Sequence, residues 1–324
     1  MGVPGNGDAH SFCIIEIVDI FLQQLVNGLT LGSIYALVAL GYTMVYGILG
    51  LINFAHGEVV MIGALVALAV MKLLAASGLP PALIFLIALL VAAIACMALG
   101  YTIERIAYRP LRNAPRLAPL ITAIGVSIVL QQLAMMIWGR SYHSIPQLLP
   151  TESYEVLGAQ ITAVQIIILL VAAATMVSLI LLVNRTRLGR AMRATAESPS
   201  IAGLMGVDAN RIIAMTFMIG SALGALAGVL VSANYGIAHY NMGFMLGLKA
   251  FTAAVLGGIG NLGGAMVGGI LLGIIEALGA GYIGDLTGGI LGSHYQDVFA
   301  FFVLIVVLVF RPSGLMGEKV SERA

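Results

Sequence analysis

Runs of about twenty consecutive apolar residues recur along nearly the whole chain. Coiled as helices, such runs span the roughly 30 Å hydrocarbon core of a bilayer. This constrains the fold severely, because a segment in lipid must satisfy every backbone N–H and C=O internally, and only helices or closed barrels do so. Composition agrees: 60% of the 324 residues are hydrophobic and 9% are charged, where a soluble domain carries roughly a quarter charged residues. The expectation is an all-α polytopic membrane protein of about eight to nine transmembrane helices with Gly-rich helix breaks. Spans are read at 20–48, 57–77, 81–104, 118–138, 161–183, 212–234, 244–260, 264–283 and 297–311. The segments at 244–260 and 264–283 are short and Gly-rich, and if one is re-entrant the count falls to eight.

Twelve of the fifteen Lys and Arg fall in three places. Arg105, Arg109, Arg112 and Arg116 form the first, Arg185, Arg187, Arg190, Arg193 and Arg211 the second, and Arg311, Lys319 and Arg323 the third. The positive-inside rule makes all three cytoplasmic. Parity supports this, since two spans separate the first cluster from the second and four separate the second from the third. Three spans precede the first cluster, which puts the N-terminal segment with Asp8, Glu16 and Asp19 outside. Residues 1–19 lack a basic n-region and a cleavage site, and are expected to be a retained, poorly ordered extracytoplasmic tail. The transmembrane domain is placed at 20–312 with a cytoplasmic loop at 184–211, followed by a cytoplasmic tail at 313–324. Lys72 and Arg140 are expected to snorkel at the outer interface, and His143 and His239 to be solvated in outer loops.

Against this background "GLINFAHGEVVM", residues 50–61, is anomalous: Asn53, His56 and Glu58 sit together between two apolar runs, near the inner end of the first span. The segment reads as an interrupted helix. Either these side chains line a pathway, or Asn53 caps the second helix and the other two satisfy the break. Gly258, Gly260 and Asn261, in "GIGNLG", are expected to mark a second, comparable break. That string matches a dinucleotide fingerprint by letters alone, since the motif needs a βαβ unit around it. Glu276, the other intramembrane acid, is a pathway residue or a hydrogen-bond partner of a neighbouring helix. Glycines four apart, at 220, 224 and 228, at 28 and 32, at 264 and 268, and at 269 and 273, read as close helix contacts. Cys13 and Cys96 match no metal or redox spacing, and the chain has no P-loop, HExxH or GxSxG motif, so catalytic chemistry is not expected of it.

The cytoplasmic loop is the most informative polar segment. Ser198 suits an N-cap, Pro199 the first helical position and Gly206 the stop, which predicts a two-turn helix. Ile201, Leu204 and Met205 then share one apolar face, fit either for a partner's groove or for the lipid interface.

The blocks "NGLTLGSIYALVALGYTMVYGILGLINFAHGEVVMIGA", "IERIAYRPLR", "AIGVSIVLQQ", "GRAMRATAESPSIAGLMGVD" and "KAFTAAVLGGIGNLGGAMVGG" together resemble the H-type permease subunit of bacterial ABC importers for branched-chain amino acids, from about residue 20 to about 317. The resemblance implies a multi-pass protein of the bacterial cytoplasmic membrane. It also implies a second homologous permease, two cytoplasmic ABC ATPases and an extracytoplasmic binding protein as partners, with nucleic acid not among them. ATP and Mg²⁺ would be held by the ATPases, and this chain would bind no cofactor. It further implies that the loop is the ATPase-coupling segment, carried by Ala194, Glu197, Ala202 and Gly206, with Ile201, Leu204 and Met205 as its plug. The wider consensus has two alanines directly after the Glu, whereas Ser198 and Pro199 follow Glu197 here. Asn53, His56, Glu58, Gly258, Gly260, Asn261 and Glu276 are the candidate pathway residues for leucine, isoleucine or valine. Urea or a short amide as cargo, and an ATP-independent transporter or channel, remain the alternative readings.

Overall fold

A computed structural model describes residues 6–112, 114–115, 117–150, 152–156, 158–287 and 295–317. Its helices are α1 Asn6–Leu49, α2 His56–Leu74, α3 Pro81–Ile103, α4 Leu117–Trp138, α5 Ala163–Arg185, α6 Arg187–Glu197, α7 Pro199–Leu204, α8 Ala209–Tyr235, α9 Met242–Gly257, α10 Leu262–Leu286 and α11 Gln296–Phe310. Seven stretches are long and apolar enough to cross a membrane, and the apolar helices Met242–Gly257 and Ala300–Phe310 are shorter. Every expected span therefore has its helix. Residues 6–19 belong to α1, where an irregular tail was expected. Arg116, Lys319 and Arg323 lie outside the described residues.

The two ends of the bundle can be told apart by what meets there. At one end Arg112 donates to Asn210 at the start of α8, joining the first basic cluster to the second. At the same end the segment after α11 closes on α9: the amides of Leu315 and Met316 donate to the carbonyls of Leu256 and Gly257, each at 2.9 Å. At the other end the strands β1 His143–Ser144, β2 Ser153–Val156, β3 Ala159–Thr162 and β4 Ile237–Ala238 pair as β1 with β4 and β2 with β3. His239 stacks on Tyr142 at 4.3 Å and bonds the Arg140 carbonyl, and His143 bonds the Trp138 carbonyl, while both remain partly exposed at this end. From the strand-bearing side the chain descends into the bundle before α9 begins, and α9 ends at the basic side, so the segment crosses the bundle and is not re-entrant. Single cysteines replacing Arg190 and Ser313, in a background lacking Cys13 and Cys96, should react with a membrane-impermeant thiol reagent only from the cytoplasm. Those replacing Lys72 and Tyr154 should react only from outside. Labelling of Ser313→Cys in intact cells would break the four-span count after Arg211.

Helices α3, α4 and α5 carry exposed large apolar side chains, as lipid-facing helices do, while α1 from Ile34 to Leu40 is buried on every side. Lipid offers little hydrophobic gain for helix association, so packing has to come from close approach of small residues. A Cβ on Gly32 would stand 2.7 Å from the Ile270 Cα on α10, and a Cβ on Gly100 of α3 would stand 2.8 Å from the Ser221 Cβ on α8. These two interfaces reveal an inverted repeat. Helices α1 to α4 correspond to α8 to α11, and the halves interlock by exchange, α1 packing on α10 and α3 on α8.

Candidate functional site

The repeat explains the sequence anomaly at residues 50–61. After α1 ends at the basic end of the bundle, Gly50 turns with φ 63°, and the chain climbs back before α2 begins at His56. After α8 ends at the strand-bearing end, Gly236 turns with φ 70°, and the chain descends before α9 begins at Met242. Both positive φ angles are conformations that glycine adopts without cost. Thus α2 and α9 start well inside the bundle, and their first turns touch. A Cβ on Gly57 would run into the Gly243 carbonyl and lie 2.9 Å from the Gly247 Cα. The contact lies at mid-depth, because Glu58 reaches Ser127 near the middle of α4 and His56 packs on Gly224 near the middle of α8.

Asn53, His56 and Glu58 all belong to this crossing and all are buried. Asn53 Oδ1 accepts from the Ala55 amide at 3.2 Å and from the Tyr108 hydroxyl at 3.0 Å. The residue that caps α2 is Ala55, which makes no side-chain bond, so the expected capping role of Asn53 is corrected: it folds the approach to the helix and ties it to the end of α3. The His56 ring meets Tyr42 edge-on at 4.8 Å, and its Nε2 has no hydrogen-bond partner among the described residues. Glu58 Oε1 accepts from Ser127 at 3.2 Å, while Oε2 has no partner among the described residues and faces the backbone at Gly243. The first turns of α2 and α9 also bring free N–H groups and positive helix ends to the same place. The crossing therefore combines an ionisable pair with unmatched polar capacity in the middle of an apolar bundle.

Gly258, Gly260 and Asn261 lie elsewhere. Asn261 Oδ1 accepts from the Gly264 amide at 3.0 Å and its Nδ2 donates to the Met316 carbonyl at 3.0 Å, so it caps α10 and fastens the C-terminal segment. Gly258 and Gly260, with φ of 108° and 95°, form the turn between α9 and α10 at the basic end. The expected match to the first break is thus corrected: the counterpart of 50–57 is 236–243. Glu276 stands in a third place, accepting from the Tyr35 hydroxyl at 3.0 Å and from Lys249 Nζ at 2.7 Å, with Asp297 Oδ1 also 2.7 Å from that ammonium. The reading of Glu276 as a hydrogen-bond partner of a neighbouring helix holds.

Lys249 and Asp297 were missed in the sequence, although a lysine inside an apolar span is itself a signal for a buried acid. Glu104 was missed as well. It is fully buried and receives Arg109 at 2.8 Å and also Arg112, which fixes the first basic cluster to α8 through Asn210.

At the basic end the loop between α5 and α8 folds as the sequence implies. Ser198 Oγ accepts from the Ile201 amide, Pro199 opens α7, and Gly206 ends it at φ 83°. Ala202 is buried and seats the helix, whereas Ala194 and Glu197 are exposed on α6. Ile201, Leu204 and Met205 are 63%, 88% and 81% exposed, an apolar knob whose tip is left uncovered by the described residues. Preceding it, α6 is an amphipathic helix that was not anticipated: Thr186 caps it and Gly189, Met192 and Thr195 are buried.

Comparison with known proteins adds an independent line. A family profile described as branched-chain amino acid transport system, permease component, matches residues 24–308. The chain is 50% identical over 308 residues to the high-affinity branched-chain amino acid transport system permease protein BraD of Pseudomonas aeruginosa, covering 94% of this chain and 98% of the relative. It is 46% identical to the permease protein LivH of Escherichia coli, covering 94% and 97%. It is 28% identical over 291 residues to the probable branched-chain amino acid transport permease protein LivH of Methanocaldococcus jannaschii, covering 88% and 89%. No solved structure matches the chain.

Proposed function

Because this chain belongs to the branched-chain amino acid transport system permease family, we propose that it forms, with a second homologous permease, the inner-membrane pathway through which an ABC importer takes up leucine, isoleucine and valine. The permease is not the enzyme of the system. Two cytoplasmic ATPases hold ATP and Mg²⁺ and hydrolyse the nucleotide, and an extracytoplasmic protein delivers the amino acid. The observation that carries this reading is the exposed apolar knob of α7, placed at the end where the basic clusters converge. A transporter driven by an ion gradient has no use for such a knob. An importer driven by separate ATPases needs one, because the closing of a soluble dimer must be transmitted mechanically to the membrane.

On this reading the crossing of α2 and α9 is the point at which the bundle opens. Two helix ends in contact through bare backbone at Gly57, Gly243 and Gly247 separate without breaking side-chain interlock. His56 and Glu58 then meet a solute that is polar at one end and apolar at the other. The test is reconstitution of both permeases, both ATPases and the binding protein in proteoliposomes, followed by competition among labelled leucine, isoleucine, valine and urea. ATP-dependent uptake of the three amino acids is expected. Uptake that persists without ATP, or uptake of urea alone, would overturn the reading.

A further inference from the structure

A cavity of about 240 Å³ lies between α1, α5, α8 and α10, and no step above uses it. It belongs to the outer half of the bundle. Gln23, beside its mouth, exchanges hydrogen bonds with Gln160 of β3, and Asn234 and Tyr235 on its wall end α8 at the outer side. Glu276 is also on its wall, below the mouth.

Two features make the cavity unlike a packing gap. The first is amide chemistry without protein partners. Asn27 Oδ1 already accepts from Gln23 and Gln165, which leaves the Asn27 NH₂ free to donate, and the amides of Gln24 and Asn234 have no hydrogen-bond partner among the described residues. The second is charge. Glu276 and Asp297 both contact the single ammonium of Lys249, so two acidic side chains face one cation at the inner wall of the cavity. In a medium of low dielectric an acidic side chain and an ammonium attract each other strongly.

We propose that this cavity is a vestibule subsite for the zwitterionic head of an α-amino acid. The ammonium turns toward Glu276, the carboxylate accepts from the amide N–H groups of Asn27, Gln24 and Asn234, and an apolar side chain lies against Leu31, Ala277 and Ala280. A neutral solute such as urea offers no ammonium to Glu276 and no carboxylate to the amides, so the subsite selects zwitterions. This rests on the importer reading above.

The complete reconstituted importer tests it with Asn27→Cys in a background lacking Cys13 and Cys96, a site away from the ion cluster whose loss could unfold the protein. A membrane-impermeant anionic thiosulfonate added outside should modify Asn27→Cys and abolish leucine uptake in complexes that retain their ATPases. Leucine with the binding protein should slow the modification several-fold, and Asn27→Leu should raise the KM for leucine at least five-fold. The same modification of Tyr154→Cys, on the outer hairpin, should leave uptake intact. Failure of Asn27→Cys to react, or full modification with unchanged leucine uptake, overturns the vestibule and leaves the importer standing. A wild-type complex that moves urea and no leucine overturns both.

Discussion

Met205→Glu should yield a permease that inserts and pairs with its partner permease, yet loses the ATPases on size exclusion and shows no ATP-driven uptake. The side chain is 81% exposed at the tip of α7, so the substitution disturbs nothing within the chain. Docked in a groove, the new carboxylate is desolvated without a partner, which costs about 3–5 kcal/mol, or a few hundred- to a few thousand-fold in affinity. Gly206→Val should reach the same end by another route. A Cβ there has open space around it, so no clash is involved, but φ of 83° is hostile to a β-branched residue and the knob would be presented at a different angle. Retention of the ATPases and normal uptake in both variants would reduce α7 to a connector and remove the mechanical basis of the importer reading.

Gly57→Val should fail earlier, before any partner is met. Its Cβ would press on the Gly243 carbonyl and on the Gly247 Cα, and backbone atoms cannot rotate aside as a side chain can. The expected result is at least a ten-fold loss of monodisperse protein in detergent, with Gly57→Ala between that and wild type. Gly125→Ala is the control, since a Cβ at Gly125 meets nothing within 4 Å. Wild-type yield and thermal stability for Gly57→Val would mean that α2 and α9 do not cross at this point.

The span edges and the shape of α7 were legible because the information is local. Apolar run length fixes where a helix can cross, and Ser198, Pro199 and Gly206 each act on their own backbone. Asn53 misled because an Asn before a helix suits a cap and suits equally the turn one step earlier that Ala55 completes. Gly258 to Asn261 misled for a related reason: a glycine string announces a reversal of the chain but says nothing of its depth, and this one lies at the cytoplasmic surface. Lys249, Glu276 and Asp297 could not be paired from the sequence, because their meeting depends on how three helices are rotated about their own axes. The amphipathic α6 could have been found, since Leu188 and Met192 are four apart behind the Thr186 cap.

The exchange of helices between the two halves governs how this protein can be made. Gly32 waits for its partner surface at Gly273, more than two hundred residues downstream, and α3 waits for α8. At about 5–20 residues per second, synthesis leaves α1 without α10 for on the order of ten to fifty seconds. During that time a stripe of bare backbone on α1 lies open to any other helix in the membrane. A nascent chain stalled or truncated after α4 holds half of two interfaces and the whole of neither, so fragments ending there should be cleared by proteolysis instead of accumulating as a stable half-protein.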